Sequence, residues 1–471
     1  MKGPARGVLR RITGLLAAGL LAAAACRKEA PSAAPLLSDD LKRSPEDWLR
    51  EEPVRLLRDY VRLDTTAAHG EKAGAEFLQE IFSCEGIEVE TVCPAEGRCN
   101  VLARLPGREP GNALLLLNHI DVVDAFAQFW QEARPFDGTI KRGYLYGRGA
   151  YDMKALGLAQ ALAMRSLHRR GIVPAHDILF VAEADEESGQ KWGMRWLLEH
   201  RPDFFAGVGQ ALNEGGTTEV ILRDVRFWGL ETLQAGFALI EFEAAGNAPL
   251  DRLASRWKKL SSVPVEPHPH VVAGFDMLAN HLPSPLTDPL RHLDRVRKDP
   301  VELAVLPDRY GCFLEARINW SGVYHHPAQP GRPREYMVIS VPPGVDPNPY
   351  VRPILEEAKQ SGLTILSSSI SEVTVASPYP TPFTDSLRDV VEARYPGVPF
   401  GPVPTFGGYT TSILLRAKGI PAYGFEVIPM NITDAARRHG NDERVFLRDY
   451  LSGVALYADV LEEFALHPPA N

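Results

Sequence analysis

ALLLLNHID, residues 113–121, decides the fold of this chain. Five consecutive apolar residues leave a strand with no solvent face, and a strand covered on both sides is the central strand of an α/β sheet. The run ends in polar Asn118, His119 and Asp121. DILFVAEADEE (177–187) repeats the design, an apolar run closing on acids, while MKALGLAQALAMRSLHRRG (153–171) reads as a helix stopped by Gly171 and GMRWLLEHRP (193–202) as one stopped before Pro202. The rhythm is strand, polar tip, helix. In open α/β sheets ligands sit beyond the carboxyl ends of the strands, where these polar tips fall.

Upstream, apolar spacing predicts a helix over 45–63 and another over 74–82, then strands at 87–92 and 101–105. Downstream, the texture changes from about Leu233. FALIEFEAAGN (237–247) reads as a strand and LDRLASRWKKLSS (250–262) as a helix, followed by a Pro/His-rich stretch to residue 289. Strand signal resumes at YMVISVPPG (336–344) and TILSSSISEVTVA (364–376), and from TPFTDSLRDVVEARYPG (381–397) onward the first texture returns. At 471 residues the chain is too long for one core. The expected division is a catalytic domain, 46–232 and 365–471, interrupted by an inserted domain over 233–364.

Hydrophobic residues at 45% and charged residues at 24% place the chain among soluble globular proteins. A net charge of -9 with no long Lys/Arg run excludes a phosphate-tracking surface, so the expected partner is a small molecule and not nucleic acid. The N-terminus is separate. Lys2, Arg6, Arg10 and Arg11 precede an apolar Leu/Ala/Gly stretch too short to span a bilayer, and Ala23, Ala24 and Ala25 lead into Cys26. Residues 1–26 read as an export signal resembling a bacterial lipoprotein cleavage box, with Cys26 carrying a lipid anchor and 27–45 a Pro/Ala/Ser tether; the alternative is a plain secretory signal with Cys26 incidental and a secreted or periplasmic protein. Of the remaining cysteines, Cys93 and Cys99 flank PAEGR and are close enough to form a disulfide in an oxidising compartment; sequence leaves their state open.

The acids carry the chemistry. His119 and Asp121, two apart on an extended segment, point the same way, and a carboxylate beside a metal-binding imidazole fixes its tautomer. Asp152 lies in GRGAYDMKA (147–155), where Gly147 and Gly149 permit a tight turn before the helix. Adjacent Asp185, Glu186 and Glu187 repel one another unless a cation or a shared proton intervenes. Glu214 in LNEGG (212–216) adds another anionic donor, and His439 in RRHGNDERV (437–445) completes the set. Burying carboxylates costs several kcal/mol unless they are paired, so acids delivered to strand ends imply cations.

Together these motifs resemble the dinuclear zinc family of aminoacylases, carboxypeptidases G and S and succinyl-diaminopimelate desuccinylase. NHIDVV resembles the family's HxDVV, FDGTIKRGYLYGRGAYDMK its G-R-G-x-x-D-x-K block, ADEESG its acidic strand tip and RRHGNDERV its closing HG-x-(D/N)-E segment. LNEGG and HGNDERV look closest to the carboxypeptidase S branch. The resemblance implies a zinc-exopeptidase-type central mixed sheet flanked by helices, with a smaller inserted α+β lid and dimerisation domain. It implies two zinc ions per subunit, with Co or Mn as substitutes, held by His119, Asp152, Glu187, Glu214 and His439. Asp152 bridges them; which other ligand serves which ion stays open. Glu186 becomes the general base and Asp121 the partner of His119. The implied reaction is hydrolysis of an amide in small peptides or N-acyl amino acids by a metal-activated water.

Two elements depart from the family. GGYTTSILLRAKGIPAYGF (407–425) resembles GGTDAR-x-x-x-x-GIPA but places Tyr409, Thr410 and Thr411 in its early positions, with the usual Asp lost. The inserted domain begins EAAGNAPLDRL (243–253) where relatives carry a His that reaches a neighbouring subunit's site. His268, His270, His281, His325 and His326 lie elsewhere in the insert and read as exposed. An alternative function follows from these losses: a metal-retaining binding protein with a degenerate lid. The retained base Glu186 argues for the enzyme.

Overall fold

The computed structural model describes residues 39–469, except 222–223, 260–264, 283, 307, 312, 326–328, 330 and 405–409. The export signal, Cys26, most of the tether, Tyr409 and His326 lie outside the described residues.

The expected helix over 45–63 is two: a short turn at Pro45–Trp48 and α1 (Glu52–Val61), restarted by Pro53, whose missing N–H is harmless in a first helical turn. α2 (Lys72–Ser83) leads to an antiparallel hairpin, β1 (Glu88–Ala95) and β2 (Arg98–Leu105), across which Cys93 and Cys99 are disulfide-bonded. β3 (Glu109–His119) follows, then the short pair β4 (Thr139–Lys141) and β5 (Tyr144–Tyr146), α3 (Lys154–Arg169), β6 (His176–Glu183), α4 (Met194–His200) and β7 (Val208–Asn213). β8 (Thr217–Ile221) and β9 (Asp224–Leu233) form a hairpin. With β15 (Phe400–Pro404) and β16 (Ala422–Gly424) these strands build one sheet in the order β1-β2-β6-β3-β7-β16-β9-β15, β8 pairing with β9.

The centre of that sheet, β6-β3-β7, is parallel. Leu114 to Leu117 are all fully buried and alternate between two cores. Leu114 and Leu116 meet α3 residues such as Leu158, whereas Leu115 and Leu117 meet Met194 and Leu197 of α4. At about 1.5–3 kcal/mol for each fully buried leucine, the double coverage read from ALLLL favours a central position for β3.

A second sheet, β11-β13-β10-β14, comprises β10 (Gly236–Glu243), β11 (Arg317–Trp320), β13 (Pro333–Val341) and β14 (Thr364–Ile370), with β12 (Tyr324–His325) pairing with β13. It packs beneath α5 (Asn247–Arg256) and α7 (Asn348–Gln360). The expected return to the first domain at residue 365 falls inside β14, which pairs with β10, so the return comes after Ile370. A local strand signal does not say which sheet the strand joins.

The Pro/His-rich stretch also differs from expectation. It contains α6 (Pro269–Ala279), which lies against β15 of the large sheet so closely that a Cβ on Gly274 would fall 1.9 Å from the carbonyl oxygen of Pro402. His268 and His270 are therefore half-buried, with the Nδ1 of His270 3.0 Å from the hydroxyl of Thr232. The chain closes with α8 (Pro382–Arg394), α9 (Ser412–Ala417), β17 (Arg444–Phe446) and α10 (Leu447–Leu466). β17 pairs with β5, which brings residues 437–443 beside the turn that precedes α3.

Candidate metal centre

Three adjacent parallel strands deliver the donors. His119 is the last residue of β3, Glu186 and Glu187 follow β6, and Glu214 follows β7. Asp152 sits in the turn before α3, and His439, in the left-handed region at φ 57°, precedes β17. The His119 Nε2 is 3.3 Å from Asp152 Oδ1 and 3.8 Å from Glu214 Oε1. On the other side the His439 Nε2 is 3.2 Å from Asp152 Oδ2 and 2.9 Å from Glu187 Oε1. Two ligand groups result, His119/Asp152/Glu214 and Asp152/Glu187/His439, each with donor atoms within 4.8 Å of one another. One oxygen of Asp152 faces each group. Glu186, half-buried, belongs to neither.

Asp121 holds the site in a way the sequence did not reveal. The Nδ1 of His119 lies 2.9 Å from the backbone oxygen of Asp121 and 3.4 Å from its carboxylate, so the carbonyl is the closer partner. The carboxylate instead accepts the N–H groups of Glu186 (3.1 Å) and Glu187 (2.9 Å), fixing the acidic tip. Asp185, which had no role in the sequence reading, is a loop clasp. Its carboxylate accepts the N–H of Lys191 at 2.9 Å and that of Trp192 at 3.4 Å.

Glu443 and Arg148 are the other structural residues missed from sequence. The Glu443 carboxylate accepts the N–H groups of Gly149 (3.1 Å), Tyr151 (2.9 Å) and Asp152 (3.1 Å) and pairs with Arg148 at 2.6 Å. The guanidinium of Arg148 also donates to the carbonyls of His439 and Gly440. One buried ion pair thus ties the Asp152 turn to the His439 turn. The Arg of GRG and the Glu of HGNDER were the available signals.

The electrostatics fit a cation pair. Burial opposes charge on His119, but Asp121, Asp152 and Glu214 outweigh it and raise its pKa well above the usual imidazole value. Hydrogen bonds to Asp152 and Glu187 lift His439 to about 10. Burial and the charge of Asp152 push Glu214 up to about 8. Burial raises Glu186 too, reinforced by Glu214, Glu187 and Glu183. Without metal the cluster thus draws protons to the imidazoles and to the crowded acids, and divalent cations would take their place. Imidazole nitrogen with carboxylate oxygen is a donor set suited to zinc.

A shared carboxylate between two ligand groups, with a free carboxylate beside them, defines a two-metal hydrolase. Residues 115–463 match the model of Peptidase family M20/M25/M40, and the chain belongs to that family. Human aminoacylase-1 is 25% identical over 448 residues, which cover 90% of this chain and 98% of that protein. A probable succinyl-diaminopimelate desuccinylase of Staphylococcus aureus is 34% identical over 141 residues, 30% of this chain and 34% of that protein. Among solved structures, an M20 family metallo-carboxypeptidase of Sulfolobus solfataricus superposes with a TM-score of 0.69 at 16% identity, covering 88% of this chain and all (100%) of that one. Human carnosine dipeptidase 1 gives 0.65 at 16% identity, covering 91% and 99%. These relatives do not support the expected nearness to carboxypeptidase S. The protein is a metallohydrolase of the kind that cleaves amide bonds with bound metal.

Proposed function

We propose that this enzyme deacylates N-acyl amino acids, cleaving the amide whose nitrogen side bears a free carboxylate. The observation that carries the reading is Asp152 shared between two ligand groups with Glu186 beside both and in neither. His119 and Glu214 would complete one cation's ligands, Glu187 and His439 the other's. Two zinc ions there, or Co or Mn in their place, would polarise the amide carbonyl and lower the pKa of water toward about 7. Glu186 takes a proton from the attacking water and returns it to the leaving nitrogen, a task suited to a carboxylate whose pKa burial has raised. Support for the substrate class comes from the likeness to aminoacylase-1 along nearly its whole length. Short peptides with a free carboxyl end present the same amide and form the second substrate class.

Arg438 supplies a charge for that carboxylate. Its guanidinium is partly exposed at the rim, 3.6 Å from Asp152 Oδ2 and over the Tyr151 ring. Arg438→Gln is expected to raise KM about tenfold for an N-acyl amino acid. The same substitution should leave KM unchanged for the corresponding N-acyl amino acid amide. Equal effects on both substrates would remove Arg438 from carboxylate recognition.

The deciding experiment is turnover of a panel of N-acyl amino acids and dipeptides before chelation, after it, and after restoring Zn, Co or Mn. Loss on chelation and recovery with metal are expected. Absence of turnover with both metals bound would overturn the reading. The proposal extends to export and lipid anchoring at Cys26, supported by the basic-apolar N-terminus and by the Cys93–Cys99 disulfide. No helix among the described residues is long and apolar enough to cross a membrane. It extends also to a homodimer through the inserted domain, for which β14 offers an edge strand.

A further inference from the structure

Outside the ligand set, one string of buried polar groups ends on Glu186. Gln190, buried and four residues further on, directs its amide nitrogen at Glu186 Oε1 (3.5 Å) and at the hydroxyl of Thr411. That hydroxyl is hydrogen-bonded to Glu183, whose carboxylate also accepts the N–H of Met194 at 2.7 Å. An amide nitrogen carries two hydrogens and accepts none. Both of the Gln190 hydrogens are therefore committed, one to each neighbour, and the Thr411 hydroxyl passes its own hydrogen to Glu183. The string therefore diverges from Gln190, and the carboxylates at its two ends, Glu186 and Glu183, both accept.

Both arms of the string are fixed. Gln190 adopts φ 61°, and its N–H bonds the carbonyl of Asp185 at 2.6 Å, inside the loop that the Asp185 carboxylate clasps. Thr411 is the residue before α9, and the preceding Thr410 is bonded to Gln234, just after β9. Thr410 stands where the related motif carries its Asp, and Thr411 follows it. Glu186 needs such a fixture because the charges of Glu214, Glu187 and Glu183 surround it.

We propose that Gln190 and Thr411 are positioning residues for Glu186. The Gln190 amide pins Oε1 and leaves Oε2 as the atom that takes and returns the proton. This inference rests on the reading of Glu186 as the base. The contact at 3.5 Å is at the long end for a hydrogen bond, as such contacts often are before substrate binds.

Three variants test it. Thr411→Val removes the hydroxyl at constant shape, and Thr411→Ser keeps it. Gln190→Asn keeps a residue tolerated at positive φ but shortens its reach. The expected result for Thr411→Val and Gln190→Asn is a kcat lower by about 10- to 100-fold, since small misplacements of a catalytic group have effects of that order. KM should stay within about twofold, and metal content and Tm should match the wild type. Thr411→Ser should restore kcat, and the double variant should be no worse than either single one, because the string acts as a unit. Wild-type kcat in Gln190→Asn and Thr411→Val would overturn this inference alone. So would a loss of metal or Tm in step with activity, which marks a merely structural role. Absence of turnover by the wild-type enzyme would overturn the proposed function and this inference with it.

Discussion

Glu186→Gln is expected to lower kcat by about 10²- to 10⁴-fold while two equivalents of metal stay bound. The reasoning is geometric before it is electrostatic. Glu186 is in neither ligand group, so replacing its carboxylate with an amide of the same shape removes no metal donor. It also relieves repulsion, because Glu214, Glu187 and Glu183 all disfavour a charge at this position. Metal content by elemental analysis, kcat, and Tm with and without metal separate the possible roles. Metal retained with turnover lost supports the base. Near-normal turnover in a fully loaded variant would sink the assignment.

Asp152→Asn should have the opposite signature, losing metal first and activity as a consequence. Each oxygen of Asp152 faces one ligand group, so one substitution weakens both sites together. Changes that only orient a ligand cost about 10- to 100-fold in affinity, and loss of an anionic ligand shared by two cations should exceed that at each site. Because bound metal stabilises the folded state by mass action, the wild type should show a metal-dependent Tm and the variant should not. Equilibrium dialysis checks the first effect and thermal melts the second. One full equivalent of tightly bound metal in the variant would mean that the two groups do not share this carboxylate.

The strand tips were legible in sequence because their signal is local. The apolar run at 113–117 fixes a doubly covered strand, and Asp121, Glu186, Glu187 and Glu214 each follow the end of β3, β6 or β7 by one to four residues. The helix that buries almost every face, α3, was legible for the same reason. What stayed hidden depends on partners far away in the chain. Nothing in TILSSSI says that it pairs with FALIEFE and not with the large sheet. Nothing in PHPHVVAGF says that Gly274 will meet Pro402. Asp185 has no role legible in the sequence, where it is only one of three adjacent acids. Its use as a loop clasp depends on the backbone folding back to offer the N–H of Lys191. Within the site, the family motifs pointed to the residues of the two candidate ligand groups and to Glu186 beside them. Gln190 and Thr411 carry no charge and match no motif, so only their placement beside Glu186 reveals them.

The grip of Glu443 on the Asp152 turn has a consequence for the order in which the molecule is made. The acceptor for the N–H groups of Gly149, Tyr151 and Asp152 lies 294, 292 and 291 residues downstream of them. At synthesis rates of 5–20 residues per second, that turn waits roughly 15–60 s for its partner. During that interval the nascent chain already carries His119, Glu187 and Glu214 but lacks the carboxylate that fixes the Asp152 turn. The two-cation arrangement therefore belongs to the finished chain alone. A ribosome-bound fragment ending before Glu443 should bind divalent ions no better than a loose group of acids.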